Sequence, residues 1–174
     1  MFEIDEWSKD HVYGVMRELL YSFNYMWFMV EEWVKNTPPE ELKSDAFMEF
    51  SEDFGSYQAL RLARVSDPPE GEVERLIYFL KRSHWAVFED IEVTKVSDSE
   101  IRMRTLGCTS QKAALKWGME YYECGQAGLQ LREGFCRGVN PKARVTRVFT
   151  PPDARPAGIP EEVSCEWRIT IDES

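Results

Sequence analysis

Residues 19–30 read LLYSFNYMWFMV, a dozen positions of which only Ser22 and Asn24 lack a large apolar or aromatic body. Apolar residues recur at three- and four-residue steps on both sides of this run, from Val12 through Val15, Leu19, Phe23 and Trp27 to Val34. That spacing is the period of a helix. Ser8 can cap its start, and Pro38-Pro39 stops it after about Asn36. A helix that is apolar nearly all round must be buried in a core or covered by a second protomer. We therefore expect a homodimer with this helix at or beside the interface. No uncharged apolar run reaches the ~18 residues that a membrane span needs.

Within the run, Asn24, Trp27 and Glu31 stand at i, i+3 and i+7 and share one ridge. An amide and a carboxylate beside an indole suit the wall of a small-molecule pocket. The alternative is that Glu31, like Glu32, opens the solvated end of the helix.

After the proline stop the pattern predicts a second helix over 39–65, bent or broken at Gly55, then a turn at Asp67-Pro68-Pro69-Glu70-Gly71 and a short helix ending near Ser83. From Trp85 the grammar changes. Residues 86–96 are rich in aromatic and β-branched types, and Ser97-Asp98-Ser99 leads into Ile101-Arg102-Met103-Arg104, which reads as an antiparallel hairpin. Two helices follow, near Thr109 and Cys124, and then strands over 142–150 and 163–171, separated by a proline-rich loop. The order predicts one α+β domain over 1–174: a helical part (1–83), then a part (84–174) holding an antiparallel sheet of about four strands with two inserted helices.

The net charge of −10 disfavours nucleic acid and anionic lipid as partners. It is unevenly placed: residues 1–101 carry 10 Lys and Arg against 22 Asp and Glu, and residues 102–174 carry 11 against 9. Attraction between the two parts accounts for this; an anionic ligand near Arg144, Arg147 and Arg168 is the sharper alternative. The acidic opening MFEIDEWSKD lacks the basic flank of a secretory signal, which sets the expectation of a cytoplasmic protein. In a reducing compartment its cysteines are thiols or metal ligands rather than disulfides.

The four cysteines are spaced Cys108-x15-Cys124-x11-Cys136-x28-Cys165, with no CxxC knuckle. Cys124 and Cys136 fall near opposite ends of one helix, about 18 Å apart at 1.5 Å per residue, too far to share an ion. Cys136 thus reads as structural. Cys108, Cys124 and Cys165 can meet, and three thiolates without a fourth protein ligand suit an open zinc site. Cys124 opens its helix, where the dipole favours a thiolate. Against this stands the plainer reading of ordinary buried cysteines, which behave as small hydrophobes. His11 and His84 have no ligand neighbours at metal spacing and read as surface or capping residues.

Several of these segments also resemble an uncharacterised prokaryotic family of unknown function. They are Cys108 after the Ile101-Arg102-Met103 strand, Cys124 before Ala127-Gly128-Leu129, Asn140-Pro141, Pro151-Pro152-Asp153, Cys165-Glu166-Trp167 and the helix Met26-Trp27-Phe28-Met29-Val30-Glu31-Glu32. That family looks like a relative of the L-2-amino-thiazoline-4-carboxylic acid hydrolase group and, more remotely, of the 4-vinyl reductase (hydrocarbon-binding) domain. The chain departs from it at Cys136, where a small non-cysteine residue is expected, and at Asn24 and Phe23, where relatives often carry acidic and histidine side chains. Taken with the ridge on the first helix and the charge pattern, the resemblance supports a small-molecule-binding module with Asn24, Trp27, Glu31 and Arg147 as candidate ligand contacts and Cys108, Cys124 and Cys165 around zinc or an iron–sulfur cluster. It also admits a metal- or thiol-dependent hydrolase acting on a small sulfur or nitrogen heterocycle, with Cys124 as nucleophile or ligand and Glu31 moving a proton. A structural interaction domain is the third reading.

Overall fold

A computed structural model describes residues 7–38 and 44–172, without the side chains of residues 24, 27, 28, 31 and 44–49. Helix α1 (Lys9–Asn36) starts at Ser8, whose hydroxyl accepts the His11 amide hydrogen at 3.2 Å. Helices α2 (Ser44–Ala63) and α3 (Glu72–Leu80) follow. After the single turn α4 (His84–Phe88) come strands β1 (Asp90–Lys95) and β2 (Glu100–Gly107). Helices α5 (Thr109–Lys116) and α6 (Gly125–Val139) separate β2 from β3 (Ala143–Phe149), and β4 (Cys165–Ile171) closes the chain. The sheet is antiparallel throughout, in the order β1-β2-β4-β3. This is the α+β arrangement that the order of sequence patterns predicts.

Strand alternation sorts the two faces of the sheet. Ile101, Met103 and Thr105 of β2 and Trp167 and Ile169 of β4 are buried toward α6 and α3. On the other face Arg104 pairs with Glu166 across neighbouring strands at 2.6 Å. Opposite charges facing each other this way stabilise the ladder.

Two sequence expectations need correction, and a third lies beyond reach of the described residues. Residues 84–88 form a helical turn, and the strand begins only at Asp90. The turn exists because tertiary contacts outweigh the β propensity of this segment: Trp85 is buried edge-on against Phe135, with ring centroids 5.5 Å apart. Gly55 does not break α2, which runs continuously through it. Its use is elsewhere, since a Cβ there would collide with the Leu131 carbonyl of α6. Gly134 answers from α6, where a Cβ would collide with the Glu52 carbonyl, and Ser56 Oγ donates to the Gly134 carbonyl at 3.0 Å. The two helices thus touch backbone to backbone. Finally, the start of the second helix as read, 39–43, lies outside the described residues.

Helix α1 packs on α2 through Val15 and Leu19, with the buried ion pair Arg61–Glu18 at 2.6 Å beside them. Its remaining apolar residues are not all covered: Met16, Leu20 and Tyr21 are about half exposed or more. The uneven charge has a structural counterpart too, because Arg137–Glu52 (3.0 Å) and Lys142–Glu72 (3.9 Å) link the basic part to the acidic one.

Helix propensity and packing disagree at Gly55 and Gly134, so alanine there is decisive. Propensity by itself has Gly→Ala stabilising a helix by about 1 kcal/mol. Forcing a Cβ into the α2–α6 contact should instead cost about 1–3 kcal/mol net, read as a lowered midpoint in urea for Gly55→Ala and for Gly134→Ala.

Candidate functional site

A cavity of about 280 Å³ lies where α1, α2, α4 and α6 meet the ends of β2 and β4. Most of its wall is apolar, including Phe23, Phe50, Phe54 and Phe88. Cys108, Cys124 and Cys165 all line it, though they come from three separate segments. Cys165 opens β4 opposite Thr105 of β2, and its sulfur accepts the Trp167 indole N–H at 3.3 Å. Cys108 lies three residues beyond Thr105 and caps α5, its sulfur accepting the Gln111 amide hydrogen at 3.4 Å. Cys124 is the residue before α6. Cys136 is buried in α6 and does not line the cavity.

Cys108, Cys124 and Cys136 are held as neutral thiols. Cys124 occupies the cap position that favours a thiolate, but its side chain makes no capping hydrogen bond. Burial raises its thiol to about 11, outweighing the downward pull of the nearby Arg132 guanidinium. Burial also raises Cys108. Full burial in an apolar core pushes Cys136 up to about 12. Among the described residues no three His, Cys, Asp or Glu side chains are gathered closely enough to hold a metal ion.

Two further side chains complete the wall. Arg132 rises from α6 with its guanidinium held between two indoles, 4.3 Å from the Trp167 ring centroid and 4.6 Å from that of Trp85. Its Nη1 donates to the Gly128 carbonyl at 3.0 Å, one turn back. Gly128 makes the room: a Cβ there would stand 3.2 Å from Nη1 and 3.5 Å from the Trp167 ring. Burial lowers the Arg132 pKa, yet an arginine stays charged at any ordinary pH. Its position was open to inspection in the sequence. Gly125, Gly128, Arg132 and Phe135 follow helical spacing, which sets Arg132 in the middle of the buried face of α6.

His84 is not the surface or capping residue that its sequence context suggests. It lines the cavity, and its hydrogen bonds settle its tautomer. Ser22 Oγ donates to the Leu19 carbonyl (2.7 Å) and accepts from Gln58 Nε2 (3.3 Å). Gln58 Oε1 faces the His84 backbone N–H (3.4 Å) and Nδ1 (2.8 Å). A backbone carbonyl can only accept and a backbone N–H can only donate, so the chain has one consistent direction. His84 therefore carries its proton on Nδ1. Nε2 keeps the lone pair and has no hydrogen-bond partner among the described residues. Burial, and then the charge of Arg132, lower its pKa to about 3, which keeps the ring neutral.

Of the residues expected to contact a ligand, Arg147 lies off the cavity. Its guanidinium is 3.6 Å from Asp153 and packs against Gly125, where a Cβ would collide with it. Arg144 likewise pairs with Asp172 at 3.2 Å. The side chains of Asn24, Trp27 and Glu31 lie outside the described residues.

The comparisons with known proteins agree with the sequence motifs at the level of family. The chain belongs to the family of unknown function DUF6125, whose model matches residues 20–171. That span includes α1 from Leu20 onward, all four cysteines, His84 and Arg132. No curated protein and no solved structure matches the chain. Among the described residues no helix is long and apolar enough to cross a membrane.

The depressed His84 pKa carries a signed consequence. The unfolded chain takes up a proton near pH 6.5 and the folded one only near 3, so this contribution to stability is full above 6.5 and falls as pH drops through that window. The slope is at most about 1.4 kcal/mol per pH unit. Between pH 7 and 5, above most carboxylate titration, the urea midpoint of the wild type should fall. That of His84→Gln should fall less steeply, with His11, also lowered by burial, keeping a contribution of the same sign.

Proposed function

We propose that this chain is a cytoplasmic, homodimeric small-molecule-binding protein whose ligand sits in the cavity beneath α1, against the three cysteines. One observation carries the reading. Three thiols from distant segments, a neutral histidine and a buried guanidinium line the same apolar hollow. A few polar groups converging on an apolar pocket is the usual composition of a ligand site. At about 280 Å³ the cavity suits a small ligand. The dimer draws support from a second groove that shares Phe23, His84 and Phe88 with the cavity and is lined by Met16, Leu20 and Val87. Those three side chains are each about half exposed or more, an apolar surface suited to a second copy.

Trp85 and Trp167 report on occupancy, since both border the Arg132 guanidinium at the cavity wall. Titration with indole should change the tryptophan emission and raise the melting temperature. Ala127 lines the cavity. Ala127→Phe, which fills space there, should abolish the response in a protein that still unfolds cooperatively. Indole binding unaltered by Ala127→Phe would place the ligand elsewhere.

The second reading is a metal- or thiol-dependent hydrolase acting on a small sulfur or nitrogen heterocycle, in keeping with the sequence resemblance to the thiazoline-carboxylate hydrolase group. The meeting of Cys108, Cys124 and Cys165 at one wall favours it over a structural interaction domain. In that reading these three cysteines, which share the cavity but are not gathered closely enough here to hold an ion, would draw together around zinc or an iron–sulfur cluster, and bound zinc would supply Lewis-acid activation of water. Glu31 would be the proton-transfer group. Protein purified without oxygen should then carry about one metal centre per chain, lost in Cys108→Ser, Cys124→Ser or Cys165→Ser and kept in Cys136→Ser. Metal-free protein that still binds indole would leave the binding reading standing alone.

A further inference from the structure

Arg132 is the least explained group in the molecule. A charged side chain leaves water at a large cost unless it is paired and hydrogen-bonded. Arg132 is 6% exposed. Its Nε is buried with no hydrogen-bond partner among the described residues, and Nη1 is bound only to the Gly128 carbonyl. No carboxylate forms an ion pair with it among the described residues. The acidic side chain that does line the cavity, Glu89, has both oxygens engaged at the start of α5: Oε2 accepts from the Thr109 amide (2.7 Å) and Oε1 from its hydroxyl (2.8 Å). The two indole faces offset part of the cost by cation–π attraction, but a ring face neutralises no charge. The surroundings hold the guanidinium in place without satisfying it, and it lies at the wall of a cavity large enough for a small molecule.

We propose that Arg132 is the anion anchor of the cavity and that its ligand is a small organic carboxylate on an apolar or aromatic body. This rests on the small-molecule reading above and gives it a substrate class. A carboxylate accepts from a guanidinium through two parallel N–H bonds, a match that a lysine cannot reproduce. The phenylalanines that line the same cavity would take an apolar body and exclude water, which strengthens the charge contact. Gly128 has a function in this arrangement, because its missing side chain leaves the guanidinium room between the indoles.

The test compares phenylacetate with its neutral isostere phenylacetamide, by calorimetry and tryptophan emission, on wild type, Arg132→Lys and Arg132→Met. In the wild type the carboxylate should bind at least about tenfold more tightly than the amide. Arg132→Lys should keep a reduced preference, and Arg132→Met should lose it while still binding the amide. Where Arg132→Met fails to fold, the wild-type comparison and Arg132→Lys decide. Equal affinities in the wild type would overturn the anchor and leave a neutral ligand site. A preference that persists in Arg132→Met would place the anion contact on another residue and overturn the assignment. Binding of neither probe, with no response to indole either, would overturn the anchor and the small-molecule reading together.

Discussion

The approach of α2 to α6 decides where almost everything else lies. Two helices normally stand 8–10 Å apart because side chains separate them. Here Gly55 of α2 lies against the Leu131 carbonyl, and Gly134 of α6 lies against the Glu52 carbonyl, so backbones meet directly. Gly138 extends the seam, where a Cβ would come within 2.9 Å of the Ala59 Cβ. Packed this closely, α6 is clamped between α2 and the sheet. Its third side then carries Gly128 and Arg132, with Cys124 just before its first turn. The cavity is the space left where α1 and α4 roof that side.

Its polar groups are arranged with different degrees of completeness, and the difference is informative. The chain Leu19–Ser22–Gln58–His84 satisfies each of its members except His84 Nε2. A fully satisfied buried network rigidifies its surroundings, and this one fixes the angle of the imidazole at the cavity wall. Arg132 is held as firmly, by two indoles and one carbonyl, but its charge is not balanced by any described group. The cysteines fall between these cases. Their sulfurs accept hydrogen bonds from Gln111 and Trp167 at Cys108 and Cys165, while burial keeps Cys108 and Cys124 as neutral thiols. A cavity built this way is polar at fixed points and apolar elsewhere.

Much of this was legible in the chain itself. Helical spacing around Leu19–Val30, the serine before it and the proline stop determined α1 to within a residue, because those signals are local. Alternating strands after the helices determined an antiparallel sheet with two inserted helices. The distance along one helix separated Cys136 from Cys124, and the motifs pointed to a family of unknown function, the level at which the match over residues 20–171 stands. What only the tertiary structure decided are the cases where a residue's neighbour is far away in sequence. Gly55 looked like a helix break because propensity counts the lost Cβ and cannot see the α6 backbone occupying its place. Residues 86–88 looked extended because β-branched and aromatic types favour strands, until Trp85 just before them found Phe135 some fifty residues on. His84 looked peripheral because its partners, Gln58 and Ser22, stand on two other helices. Arg147, by contrast, looked available, and a carboxylate six residues ahead had already taken it. Local periodicity specifies which face of an element is apolar; only packing specifies what that face meets, and a site is made of such meetings.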